Sequence, residues 1–217
     1  MKISAIITNY NYGRYLGRAI RSLLDQSLPK DEYEVIIVDD NSDDHSLEIL
    51  KSFQSLVRII ALEENVGLAE ARNIGIRSAR GRYVVFVDAD DYVHSDLLAI
   101  QQQFLNHNHQ FGAVSVDYLL VDELENHGER VNGEAHPIAC GIMFRIDPLV
   151  EIGLYDKQFR AHEERDLRIR FQDRFDIYNI ILPLYRYRRH DDNLTNNTEK
   201  MSTYSRMLSD KHDLEGQ

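Results

Sequence analysis

Three carboxylates occupy four consecutive positions, Asp88-Ala89-Asp90-Asp91, directly after the apolar run at residues 83–87. Ionised side chains that close repel one another, and a divalent cation removes the repulsion. A donor set made only of hard oxygens suits Mg2+ or Mn2+. A second acidic pair, Asp39-Asp40, ends the apolar run at 34–38 and is followed by Asn41-Ser42. A carboxylate there can accept a hydrogen bond from a nucleobase N–H, or serve a helix that starts just beyond it. The first apolar run ends in Thr8-Asn9-Tyr10-Asn11-Tyr12, which sets polar groups beside an aromatic face. Each motif alone reads equally well as turn chemistry. Three of them at the ends of neighbouring strands point to one site.

The elements that would bring them together are legible in the first half of the chain. Residues 3–8, 34–38, 57–62 and 83–87 are short and rich in Val, Ile, Tyr and Phe, as strands are. Between the first two, residues 14–26 place Leu16, Ala19, Ile20, Leu23 and Leu24 on one helical face. Ser42 and Asp43 are candidate caps for a second helix carrying Leu47, Ile49, Leu50 and Phe53. Gly67 precedes a third helix over 68–79, and Gly81 stops it. Alternation of this kind implies a mostly parallel sheet with helices on both faces. Ligands of such sheets bind beyond the carboxyl ends of the strands, where all three motifs fall.

The second half is less regular. A helix is predicted over 96–106, a strand over 112–121, a polar surface loop over 122–137 and a strand over 140–145. A helix over 163–172 and two final strands at 178–182 and 185–190 follow. Residues 193–217 are polar and read as a tail or as a helix docked elsewhere.

The 217 residues suit one domain, with a regular strand–helix half to about residue 91 and a less regular half over about 92–192. Hydrophobic residues make up 43%, enough for a packed core, and the net charge of −11 argues against a nucleic-acid partner. The single cysteine, Cys140, excludes an internal disulfide and a multi-cysteine zinc site. It reads as a core residue rather than a nucleophile. No run approaches the ~20 apolar residues of a membrane span, and the N-terminal apolar stretch is too short for a signal peptide. The expectation is a cytoplasmic protein, free or touching a membrane at its surface through the arginine-rich last strand or the tail.

The chain resembles family 2 glycosyltransferases of the GT-A fold. The matching segments are Ile6-Ile7-Thr8-Asn9-Tyr10-Asn11, Val38-Asp39-Asp40-Asn41-Ser42, Asn65-Val66-Gly67-Leu68-Ala69-Glu70-Ala71-Arg72-Asn73 and Phe86-Val87-Asp88-Ala89-Asp90-Asp91. A weaker match continues through Cys140–Arg145, Glu163-Glu164-Arg165-Asp166-Leu167 and Arg189-His190. The resemblance implies an α/β fold with a Rossmann-like central sheet flanked by helices and a smaller acceptor-side region. It implies an inverting, metal-dependent transfer of sugar from a nucleotide sugar, UDP-linked in the best-known members, to an acceptor hydroxyl. The acceptor would be a glycan, a lipid-linked chain or a protein, in glycan or polysaccharide biosynthesis.

Residue by residue, the resemblance puts Thr8 and Tyr10, with Asn9 between them, at the base pocket and Asp40 on the base. Arg72 would lie near the ribose and phosphates. Asp88, with Ala89, would approach the ribose, and Asp90 would hold Mg2+ or Mn2+. The family usually reads Glu-Asp-x-Asp-Leu on the acceptor side, with its second residue as general base. Here Glu164 takes that place with one extra methylene, and Glu163 and Asp166 stand in reserve. His190, after Arg186, Arg188 and Arg189, is a further candidate metal ligand. Two rival readings remain. A sugar-phosphate nucleotidyltransferase would need a Gly-rich basic loop after the first strand, where Asn9-Tyr10-Asn11-Tyr12-Gly13 stands instead. A non-catalytic nucleotide-sugar-binding module is kept open by Glu164.

Overall fold

The computed structural model describes residues 1–190 and 198–212, with side chains from residue 203 in the last segment. The first half alternates strand and helix: β1 (Ile3–Asn9), α1 (Gly13–Leu24), β2 (Tyr33–Asp39), α2 (Ser46–Phe53), β3 (Arg58–Ala61), α3 (Leu68–Ser78) and β4 (Tyr83–Asp88). The four strands lie in the order β3-β2-β1-β4, all parallel. Every residue of β1 is buried, as a central strand covered on both faces requires. Helix α3 packs tightly on that strand at Gly75, where a Cβ would stand 2.6 Å from Ile6 Cγ2.

The second half continues the same sheet through β5 (Tyr92–Val93), α4 (Leu97–His107), β6 (Phe111–Val121), β7 (His127–Val131), β8 (Met143–Arg145), α5 (Ile146–Glu151), α6 (Glu163–Gln172), β9 (Asp176–Arg188) and α7 (Thr198–His212). The full order is β3-β2-β1-β4-β8-β6-β9-β5, with β7 hanging on β6. Strand β8 runs antiparallel to β4 and β6, and β9 returns parallel to β6. The sheet is mostly parallel, with helices on its faces.

Four readings of the sequence need correction. The stretch 122–137 is not all loop, because β7 pairs with β6. Its residues are almost all exposed, so no buried alternation marks it. The two final strands are one strand, β9. Pro183 reads as a break, but the pairing with β6 absorbs it: Ile180 faces Val116 and Pro183 faces Asp117, so Ile181 and Leu182 bulge out. Neither Ser42 nor Asp43 caps α2. Ser42 is bonded back to Asp39, while Asp44 Oδ1 accepts the Ser46 N–H at 2.9 Å. The strand expected from residue 140 begins at Met143, because Gly141 takes a left-handed φ of 73°. Of the polar tail, α7 docks on α6: Ser205 Oγ meets His162 Nε2 at 2.8 Å, and Lys211 Nζ lies 2.7 Å from Asp166. Residues 193–197 and 213–217 lie outside the described residues.

Candidate active site

The parallel register brings the sequence motifs to one edge. Thr8 lies opposite Val38 on one side and Asp88 on the other, and Asn9 opposite Asp39. The strand order reverses between β1 and β4, so this edge is the switch point of the sheet, where ligands of open α/β sheets bind. Asp39 and Asn9 are buried and stitch β1 to β2. Asp39 Oδ1 accepts Asn9 Nδ2 and Ser42 Oγ, both at 2.7 Å. Asn9 is therefore a structural brace at the floor of the edge. Tyr10 projects outward and is 46% exposed, while Thr8 is buried.

Asp40 is buried as well, and its two oxygens are already engaged. Oδ1 accepts the Val66 N–H at 2.7 Å and Oδ2 the Gly67 N–H at 2.9 Å. Gly67, at φ 88°, then opens α3. The carboxylate thus pins the loop between β3 and α3, and each oxygen keeps a lone pair for one further donor.

The acidic turn after β4 gathers oxygens of Asp88, Asp90 and Asp91 within 4.8 Å of one another. Asp91 is fixed from below. Its Oδ2 accepts the Tyr185 hydroxyl and its Oδ1 the Arg188 N–H, each at 2.7 Å. Asp90 Oδ2 lies 2.9 Å from His190 Nε2. His190 is buried against the Tyr15 ring, centroids 4.9 Å apart. Asp88 is the most open of the three, and Ala89 is buried. Burial pushes the Asp90 carboxyl above its usual range, and the charge of Asp88 adds to this. Burial pushes Asp91 up further, together with both neighbouring carboxylates. Desolvated, mutually repelling oxygens fit a hard divalent cation.

Arg72 sits inside the wall of the site, 1% exposed. Its Nη2 donates to Asp88 Oδ1 at 3.0 Å and its Nη1 to Glu163 Oε1 at 2.9 Å. The Phe86 and Tyr155 rings flank the guanidinium, and Cys140 Sγ lies 3.6 Å away. Arg72 therefore reaches the open edge through Asp88. Burial pushes the Cys140 thiol well up, which leaves it poorly nucleophilic.

The three acidic residues at the start of α6 have separate surroundings. Glu163 is buried against Arg72. Asp166 is fully buried and held by Arg170, Lys211 and His212. Glu164, between them, makes no hydrogen bond or ion pair among the described residues. It lines a cavity with Tyr155, whose ring also packs on Arg72.

Two positioning residues carried no usable signal. Tyr185 donates to Asp91 and accepts the Asp88 N–H at 3.2 Å. Arg188 donates from Nε to the Asp90 carbonyl at 2.8 Å and pairs with Glu125 at 3.0 Å. Arg188 reads as part of a cationic strand edge in the sequence, yet it is buried beneath the acidic turn. Its role depends on the register of β9, which Pro183 disguises.

The model of glycosyl transferase family 2 matches residues 4–212. The chain belongs to that family. Among curated relatives, the poly(ribitol-phosphate) β-N-acetylglucosaminyltransferase TarS of Staphylococcus aureus is 36% identical over 112 residues, 50% of this chain and 20% of TarS. The putative teichuronic acid biosynthesis glycosyltransferase TuaG of Bacillus subtilis is 41% identical over 106 residues, 48% of this chain and 41% of TuaG. The chain thus spans about a fifth to two fifths of the length of these relatives.

Among solved structures, S. aureus TarS 1–349 in complex with UDP-GlcNAc superposes with a TM-score of 0.83 at 21% identity, over 99% of this chain and 68% of that one. A mannosyltransferase from Pyrobaculum calidifontis in complex with GDP-Man and Mn2+ gives 0.77 at 18% identity, over 100% of this chain and 65% of that one. These likenesses establish the GT-A fold. Among the described residues, no helix is long and apolar enough to cross a membrane.

Proposed function

We propose that this protein transfers a sugar from a nucleoside-diphosphate sugar, with uridine as the favoured base, to an acceptor hydroxyl with inversion at the anomeric carbon. The acceptor oxygen attacks that carbon, the bond to the diphosphate breaks, and the hydroxyl proton passes to Glu164. The observation that carries the reading is the separation of roles at the start of α6. Glu163 and Asp166 are both locked in buried ion pairs, and Glu164 alone faces a cavity with no partner among the described residues. A positioned base contributes roughly 10²–10⁴-fold to such a step.

On the donor side, Asp90 and Asp88, with His190 behind Asp90, would hold Mg2+ or Mn2+. When bound, that ion would neutralise charge on the leaving diphosphate. Thr8, Tyr10 and Asp40 would border the base. Asn9, Arg72 and Ala89 serve from behind: Asn9 braces Asp39, Arg72 holds Asp88, and Ala89 is a buried residue of the turn itself. The UDP and Mn2+ complexes of the neighbouring structures support a nucleotide-sugar donor and a divalent cation. The β-linkages named for the relatives suit inversion of an α-linked donor, and their polymer acceptors support a place in glycan biosynthesis.

The test is a panel of nucleotide sugars with Mn2+, read by release of nucleoside diphosphate. Glu164→Gln should bind UDP as the wild type does and lose at least about 10²-fold in transfer. Normal transfer by Glu164→Gln would remove the base. Binding of UDP without turnover of any sugar by the wild type would favour a binding module.

A further inference from the structure

The cavity in front of Glu164 holds a second charged group that the reaction above does not use. Its walls include Ile142, Phe144, Leu167 and Ile177, and Arg168 enters it from one turn further along α6. Arg168 makes no hydrogen bond or ion pair among the described residues, and its Nη2 is buried without a partner. Glu164, at i−4 on the same helix, is near enough to act on it electrostatically but not paired with it. Burial lowers the Arg168 pKa, which reports the cost of holding this cation away from water. Arg168 is partly buried, and a guanidinium nitrogen buried without a hydrogen-bond acceptor is unfavourable unless something supplies one. The cavity has about 260 Å³ of free space where it opens towards solvent, and its centre has room for about one water. A single oxygen atom of a ligand is the size that fits this centre.

We propose that Arg168 anchors an anionic group of the acceptor, a phosphate ester or a carboxylate, so that the neighbouring hydroxyl is presented to Glu164. This rests on Glu164 being the base. The substrate class it implies is a negatively charged polyol or glycan chain, and Arg168 is a specificity residue for it. A planar fork of donors is suited to such oxygens.

Direct binding tests this apart from turnover. The full chain, saturated with UDP and Mn2+, is titrated by NMR with sn-glycerol 3-phosphate, with glycerate and with glycerol. The wild type should bind at least one of the two anions at least about tenfold more tightly than glycerol. The stronger of the two identifies phosphate or carboxylate as the group recognised. Arg168→Met should lose that preference and leave UDP affinity unchanged, while Arg168→Lys keeps part of it. Because Arg168 has no partner in the free protein, Arg168→Met should also unfold at the same or a higher urea concentration. Equal binding of anions and glycerol by the wild type would overturn the proposal. So would an Arg168→Met protein that keeps the preference, weakens UDP binding in parallel, or unfolds at lower urea. Failure of the wild type to transfer any sugar would count against the proposed reaction and leave these binding results standing.

Discussion

Arg72 Nη1 donates to Glu163 Oε1 at 2.9 Å, and the two side chains are 1% and 5% exposed. The pair joins α3 to the first residue of α6, and so couples the first half of the chain to the second. Arg72's other nitrogen holds Asp88 at 3.0 Å. One guanidinium therefore sets the distance between the acidic turn and the helix that carries Glu164.

At pH 8, above the value of about 7 to which burial raises Glu163, removing Arg72 should be costly, because it strands a buried carboxylate. Arg72→Met should lower stability by about 3–5 kcal/mol, the range for breaking a buried pair from one side. Adding Glu163→Gln should recover part of that loss, since the stranded charge is then gone. Urea unfolding of the two single variants and the double variant checks this. Additive losses would show that the two groups do not support each other.

Asp40→Ala is expected to act in two ways. The Val66 and Gly67 N–H groups lose their acceptors, so both should exchange faster with solvent. UDP affinity should fall by about 1–3 kcal/mol, the range for a charge-assisted hydrogen bond. Faster exchange at Val66 and Gly67 with unchanged UDP affinity would restrict Asp40 to pinning the loop.

The sheet edge was legible in the sequence because each strand of the first half is a short apolar run ending in a polar motif. Parallel pairing then brings Thr8 level with Asp88 and Asn9 level with Asp39. The start of α6 was legible less directly. Nothing in the order of Glu163, Glu164 and Asp166 says which is free. That depends on Arg72, 91 residues away from Glu163, and on Lys211 and His212 reaching back from α7. The same holds for Tyr185 and Arg188, whose positions under the acidic turn follow from the bulge at Ile181 and Leu182. Local pattern marks elements and strand ends, whereas the pairing of buried charges is a long-range property.

Asp90 should dominate cation binding. Asp91 is buried, with one oxygen bonded to Tyr185 and the other to Arg188, whereas Asp88 and Asp90 are only partly buried and more accessible to a cation. Asp90→Ala should weaken Mn2+ binding at least about tenfold, the equivalent of roughly 1.4 kcal/mol, as followed by the electron spin resonance signal of free Mn2+. His190→Asn should weaken it less, because the Asp90 carboxylate remains. Chelation should abolish transfer by the wild type. Full activity after chelation, or unchanged Mn2+ affinity in Asp90→Ala, would count against a cation at this turn.

The pH dependence of stability should carry the mark of Glu163. Burial pushes this carboxyl up to about 7, against the pull of Arg72. In the unfolded chain it titrates near the ordinary glutamate value of about 4.3. Between about 4.3 and 7 the native state therefore binds more protons at this position than the unfolded state, and stability falls as pH rises. The contribution is fully present below the unfolded value and is lost as pH passes through the folded one. Glu163→Gln cannot titrate, so its unfolding midpoint should lack this slope. Asp166, whose carboxyl is held low by Arg170, Lys211 and His212, is present in both proteins and largely cancels in the comparison. The measurement is the urea midpoint of wild type minus that of Glu163→Gln, taken at several pH values between about 4 and 8. The difference should decline across that window. A difference that rises with pH would mean that Arg72 outweighs burial and that Glu163 is ionised throughout, and the buried pair would then be a stabilising ion pair at neutral pH.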